Sequence, residues 1–470
     1  MHSEPSSPEM EKSSMANGFT SASGEKHDEP KRNSLPRKVY VMRNSVLTDL
    51  MEVNHLQTVF NISVSVCILL LINAVIYYSA DPQMLQQDIG VMIWGASKLK
   101  LFANIWLSFN LYALFIYQGF RLWIYLRNTI HTKLADSIFL LLYIVSIAIL
   151  FTATAYVSRK HDFPPITGFA LVAEQVRIFM KVYSFIRENV PRALRYNPKK
   201  DGNPDYKPHP PLTHFIYFLF IPAFIYRDSY PMKKDISWKF VFNNLFKFIS
   251  CIFIAYCVFT RFNVDIFKNI GVIQFTLPQA ALTFAGAIVI GSMILFLIFY
   301  GILHCWLNIF AEILHFGDRE FYQDWWNSTS FSQYYRKWNT VVYDWLYAYV
   351  YSDTHRLGCS RSVSLVLVFI VSAIVHEYII SLSLGFFYPA LLVVYSTLGV
   401  FFVFLTKKRT AQLWNTFMWT MLFFGWGLLV SLYTAEWYAR ANCQTTVEDP
   451  ILDFFMPRSW NQKCVILKYS

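Results

Sequence analysis

The chain has 470 residues, of which 55% are hydrophobic, 18% aromatic and only 15% charged, and its formal net charge is +11. Soluble globular domains carry about 25% charged residues, so this deficit, together with repeated apolar runs of roughly 20 residues, excludes a soluble protein and puts the chain in a bilayer. The positive charge sits in short clusters beside apolar runs, as at Lys407-Lys408-Arg409 and from Arg192 to Lys200, a pattern that marks cytosolic loops and argues against nucleic-acid binding.

Residues 1 to 45, rich in Ser, Glu, Pro and Lys without an apolar period, read as a disordered leader. No charged-then-apolar signal peptide opens the sequence, so the first span serves as the membrane signal. Apolar runs follow at 58–79, 101–125, 136–157, 238–262, 280–305, 363–385, 388–405 and 411–434. Eight crossings from a cytosolic amino terminus, which the basic leader favours, would put the basic stretch 158–237 in the lumen. A ninth span at 164–186 repairs this, despite Glu174, Arg177 and Lys181, because intramembrane charges face the bundle interior and pair. Glu174 and Arg177 are three apart and share a helical face. The basic clusters 121–133, 187–207, 319–361 and 407–409 then all become cytosolic, and the tail becomes lumenal. The shorter run 213–226 is expected at the interface. The fold class expected is therefore an all-α polytopic membrane bundle of about nine helices: membrane domain 46–434, with a cytosolic connection 306–362, and a lumenal tail 435–470.

Cys67, Cys251, Cys257 and Cys305 fall in apolar runs and read as packing residues. Cys443 and Cys464 share the polar tail; they are two free thiols in a reducing compartment and a disulfide in an oxidising lumen.

Two stretches carry candidate chemistry. The connection FGDREFYQDWWNSTSFSQYYRKWNTVVYDWLYAYVY, Phe316 to Tyr351, is dense in Trp and Tyr interleaved with Asp, Asn and Arg. It reads either as an aromatic belt at the bilayer boundary or as a ligand site in which arginine grips phosphate. The span SVSLVLVFIVSAIVHEYIISLSL places His376 roughly 20 Å below the cytosolic end at 1.5 Å per residue. A histidine there is either a satisfied structural residue or a general base within reach of a lipid alcohol. His304, in LHCWLN, is the rival base without an acidic neighbour.

The motifs FYQDWWN (321–327), SxSxYYRKWN and VHEY (375–378), with SFIRENVPR (184–192), FIYRDSYP (224–231), HCWLN-FAE-L-FGD (304–318) and EWYAR (436–440), resemble the sterol O-acyltransferase branch of the membrane-bound O-acyltransferase superfamily. The likeness runs in order over nearly everything after residue 45 and implies a nine-span bundle. It implies His376 and Asn339 as the catalytic residues, and acyl-CoA contacts from Gln333, Arg336, Asn339, Tyr343, Tyr351, Arg361 and Ser372. Asn61 stands where relatives have a sterol-contacting histidine. Tyr343 replaces a histidine of mammalian relatives and loses a titratable ring; Arg361 replaces a lysine and keeps the charge. The implied activity is transfer of a long-chain acyl group from acyl-CoA, a substrate, to a sterol hydroxyl in the endoplasmic reticulum membrane, with no further cofactor and no metal. The implied assembly is a homo-oligomer, a dimer or dimer of dimers. A diacylglycerol acyltransferase of the same superfamily is the first alternative; the YYRKWN sequence and the Cys443–Cys464 pair, which that branch lacks, weigh against it. A non-catalytic lipid binder or transporter is the second, opposed by the intact Asn339 and His376.

Overall fold

Backbone amides in hydrocarbon have no water to bond, so each apolar run closes into a helix. The computed structural model describes residues 38–129, 132–196, 208–272, 277–445 and 447–460. Its membrane-length helices are α1 (Asn54–Ala80), the pair α2 (Pro82–Gly95) and α3 (Leu99–Thr129), α4 (Thr132–His161) and α5 (Pro165–Arg195). After the short α6 (Leu212–Phe220) come α7 (Trp238–Phe267) and α8 (Leu277–Ile313). The connection that follows holds α9 (Phe331–Trp338) and α10 (Thr340–Leu346). The last elements are α11 (Arg361–Leu384), α12 (Ala390–Leu405), α13 (Gln412–Asn442) and the tail helix α14 (Pro450–Phe455).

Local chemistry sets the ends. Asp81 caps α2, accepting from Gln83 N at 3.1 Å ahead of Pro82 at the first turn. Ser360 caps α11, and Gly385 ends it in the left-handed conformation at φ 78°. Helix α2 has no counterpart in the sequence reading, which began this region at 101; the break between α2 and α3 falls beside Lys98, at φ 64°.

Among the described residues seven helices are long and apolar enough to cross a membrane. A count of nine adds α5 and α12: α12 has fewer than 18 residues, and α5 carries the three charges seen in the sequence. Those charges face protein. Arg177 grips Glu174 through Nε at 2.6 Å, and Glu174 also accepts from Trp106 Nε1 at 2.9 Å. Lys181, only 1% exposed, donates to the carbonyls of Phe218, Ile221 and Ala223 at 2.5, 2.8 and 2.9 Å, which caps the C-terminal end of α6 with a cation. Phe215 and Phe218 of α6 are fully buried. The 213–226 run thus packs one face into the protein core, where its carbonyls satisfy the buried ammonium.

Two further expectations change. The ordered chain begins before residue 45: residues 38–45 pair with the 316–320 segment, Arg43 N–H donating to Gly317 O at 3.0 Å and Arg319 N–H to Arg43 O at 3.1 Å. Of the two readings of the aromatic connection, the boundary belt does not fit its buried rings. Phe321, Tyr322 and Trp325 are buried, and Trp325 touches the rings of Phe299, Tyr334, Trp338 and Trp419, so the FYQDWWN motif is the floor on which α9 and α10 stand.

Candidate functional site

The connection folds back because its polar groups satisfy one another. Asp324 pairs with Lys337 at 2.8 Å, Gln323 N–H donates to Lys337 O at 2.8 Å and Thr340 N–H to Phe321 O at 3.0 Å. Burial works against the charge on Asp324, yet the Lys337 ammonium outweighs it and holds the carboxyl below its usual range. These bonds fix the corner between α9 and α10, and Asn339 occupies that corner. It sits at φ −143°, ψ 89° and caps α10, its Oδ1 accepting from Val342 N at 3.1 Å. Its amide NH2 has no partner among the described residues and is available as a donor.

On α11, His376 Nδ1 lies 2.7 Å from the Ser372 carbonyl oxygen and 3.4 Å from Ser372 Oγ. A carbonyl oxygen only accepts, so Nδ1 carries the hydrogen and Nε2 is left with a bare lone pair. The ring itself is exposed. Glu377 points elsewhere. It is 2% exposed, and it accepts from Tyr433 OH at 2.8 and 2.9 Å and from Leu392 N at 3.0 Å. It ties α11 to α12 and α13 and does not touch the imidazole, as expected of adjacent residues about 100° apart on a helix.

Tyr395 bridges α11 and α9. It starts a wider π turn of α12, Tyr395–Gly399, lies over His376 at 6.2 Å and 26°, and meets Tyr335 of α9 at 5.5 Å. Tyr335 in turn meets Phe369 of α11 edge-on at 4.8 Å. The helices bearing His376 and Asn339 therefore converge on one cluster of rings. No local motif announces Tyr395: it belongs to the next apolar run, and only packing brings it to His376.

The other expected contacts distribute along α9, α10 and α11. Gln333, in the first turn of α9, accepts from Thr329 N at 3.3 Å. Arg336 and Arg361 are exposed, and neither has an ion-pair partner among the described residues, which leaves two free cations. The charge of Arg336 acts on Tyr343. Burial pushes the Tyr343 phenol up to about 12, so it stays protonated at neutral pH. From α10 into the π turn Tyr347–Tyr351 and the turn Ser352–Arg356, four rings stack in series: Tyr343–Tyr347 at 6.0 Å, Tyr347–Tyr351 at 5.2 Å and Tyr351–His355 at 6.1 Å. Tyr347 and His355 were not singled out in the sequence; their i, i+4 spacing with Tyr343 and Tyr351 was the available signal.

Two residues fall away from this cluster. His304 is 5% exposed and enclosed by Tyr322 OH at 2.7 Å, Asn308 Nδ2 at 3.4 Å and Ser45 Oγ at 3.5 Å; it is a satisfied histidine pinning the FYQDWWN floor to α8. Asn61 is exposed on α1. Its neighbour Phe60 meets Tyr300 at 5.5 Å, and Tyr300 stacks on His304 at 5.2 Å. Cys443 is buried at the end of α13, and Cys464 lies outside the described residues.

The described residues form a multi-pass helical bundle that exposes the His376 imidazole on α11 together with Arg336 and Arg361, a setting suited to a membrane enzyme. Residues 88–435 match the model of the membrane-bound O-acyltransferase family, and the chain belongs to that family. It is 37% identical over 435 residues to mouse (Mus musculus) sterol O-acyltransferase 1, covering 91% of this chain and 80% of that protein. It is 39% identical over 429 residues to human (Homo sapiens) sterol O-acyltransferase 2, covering 90% and 80%.

Proposed function

We propose that this protein transfers a long-chain acyl group from acyl-CoA to the 3β-hydroxyl of a sterol. The observation that carries the reading is His376, whose Nδ1 is committed to the Ser372 carbonyl at 2.7 Å and whose Nε2 is therefore the base. Nε2 takes the hydroxyl proton as the sterol oxygen attacks the thioester carbonyl carbon. The C–S bond breaks, the proton passes from the imidazolium to the departing sulfur, and sterol ester and free CoA result. The Asn339 amide NH2 donates to the oxyanion that forms on the way. Arg336 and Arg361 hold CoA phosphates, Arg in a fork that a point charge does not replace. Gln333, Tyr343, Tyr351 and Ser372 line the acyl-CoA path. Exclusion of water protects the thioester from hydrolysis.

The setting that fits this chemistry is the endoplasmic reticulum membrane, with the amino terminus and the 306–362 connection cytosolic, the tail lumenal and closed by a Cys443–Cys464 disulfide, α5 and α12 completing nine spans, and the chain working as a homo-oligomer. The test is a vesicle assay offering labelled oleoyl-CoA with cholesterol or with diacylglycerol. Cholesterol should be esterified far faster. Equal or inverted rates would assign the chain to the diacylglycerol branch, and no transfer to either would make it a lipid binder.

A further inference from the structure

The extended segment 38–45 does more than pair its backbone with the 316–320 loop. Lys38 Nζ reaches Asp344 at 2.9 Å and Glu320 at 3.9 Å, while Arg43 reaches Asp318 at 2.7 Å and Glu320 at 2.9 Å. Val41 N–H adds a bond to Asp318 at 3.1 Å. The segment is anchored on both sides. Tyr40 OH donates to Ile225 O at 3.3 Å and its ring meets Tyr230 at 5.1 Å; Ser45 is fully buried beside Asn308. Lys38 and Asp344 are largely covered, with side chains 16% and 23% exposed, and beside them lies a cavity of about 10 Å³, no more than one water's space. Such a pair is screened less than one on an open surface.

What the pair grips is specific. Asp344 directly follows Tyr343, in the helix that Asn339 caps. Glu320, held by both cations, also accepts the Thr340 hydroxyl through its carbonyl. The later part of the same helical run is held from α5: Trp345 Nε1 donates to Met180 O at 3.0 Å, Tyr349 OH to Glu188 at 3.0 Å, and Arg187 pairs with Asp353 at 2.6 Å. The start of the run, from the Asn339 cap to Asp344, takes its polar contacts with other elements from the 318–321 loop and the strap.

We propose that Lys38 and Asp344 are positioning residues: their ion pair, delivered by the amino-terminal strap 38–45, holds the first turn of α10 so that Asn339 and Tyr343 meet acyl-CoA in register. This rests on the acyl-CoA reading above. Neither residue touches the reacting atoms; both act through the helix.

The experiment uses the full chain in detergent and measures KM for oleoyl-CoA, KM for cholesterol and kcat. Lys38→Gln and Asp344→Asn should each raise the oleoyl-CoA KM by about tenfold, ~1.4 kcal/mol of affinity, with the cholesterol KM unchanged. Lys38→Arg keeps the charge and should stay near wild type. The double variant Lys38→Asp with Asp344→Lys restores the pair in reverse and should recover most of the loss, since contacting residues couple. Where a single variant fails to fold, the double variant decides. A wild-type oleoyl-CoA KM in both single variants, or a loss confined to the amount of active protein, overturns the proposal. The oleoyl-CoA KM is also read with diacylglycerol as acceptor. A wild-type chain that uses diacylglycerol and not cholesterol removes the sterol reading while the strap comparison stands; one that neither binds nor consumes oleoyl-CoA overturns both.

Discussion

At the scale of single residues, the two candidate histidines differ in exposure and in what their Nδ1 atoms meet: His376 is exposed and bonded to the Ser372 carbonyl. His304 also has its Nδ1 engaged, but its partners are the Tyr322 hydroxyl and Asn308 Nδ2 and its ring is buried. Replacing His376 by Ala should therefore lower single-turnover acyl transfer by about 10²–10⁴-fold while acyl-CoA binding persists, because the lost interaction forms mainly in the transition state. Near-normal turnover in that variant would show that His376 is not the base. Arg336 should behave in the reverse sense. Arg336→Ala removes a contact made equally in ground and transition states, so acyl-CoA affinity falls and the single-turnover rate at saturation holds. Arg336→Lys should recover part of the affinity, measured as Kd in the same detergent; full recovery would rule out a bidentate grip.

At the scale of elements, α8 and α13 approach so closely that glycine is required on both. A Cβ at Gly427 would stand 2.7 Å from Ile288 Cα, and one at Gly291 would stand 2.9 Å from the Trp426 carbonyl carbon. In a bilayer such close backbone approach is a main source of helix association. Gly427→Ala should push the helices apart at a cost of about 1–3 kcal/mol, read as a lowered unfolding temperature of the detergent-purified chain; an unchanged temperature would mean the two helices slide freely. The same pair supports the site, since α13 carries Tyr433, which holds Glu377 and, through Leu391 N at 3.0 Å, the start of α12. Glu377 thereby sets where Tyr395 lies over His376. Its adjacency to the histidine in sequence suggests a partnership that the helix geometry denies.

At the scale of the whole molecule, the tail closes one end of the bundle. Arg458 binds Asp453 at 2.9 Å and the Cys443 carbonyl at 2.8 Å, Phe387 N–H donates to Phe454 O at 2.9 Å, and Trp460 Nε1 donates to Tyr388 OH at 3.0 Å. This packing lies at the opposite end of α11 from Arg361. Cys443 and Cys464 should resist maleimide in permeabilised membranes until reductant is added. Labelling of both without reductant would exclude the disulfide, and labelling in sealed vesicles would put the tail in the cytosol. A bond closing a loop of about 20 residues contributes roughly 3 kcal/mol, so its removal should lower thermal stability more than turnover.

The sequence alone determined the membrane class and most span positions, because hydropathy, charge bias and motif order are one-dimensional properties. Glu174–Arg177 pairing was legible for the same reason: three residues apart on one helix leave little choice. Tertiary structure decided everything that depends on which run packs against which. It set Tyr395 over His376 and freed the Asn339 amide by using its oxygen as a cap. It also decided against the boundary-belt reading of the aromatic connection, whose rings form a buried floor, and ordered residues 38–45, whose polarity reads as disorder until the carboxylates of Asp318, Glu320 and Asp344 supply partners. A polar residue's environment is set by its neighbours in space, and apolar runs of similar composition do not specify their own pairing.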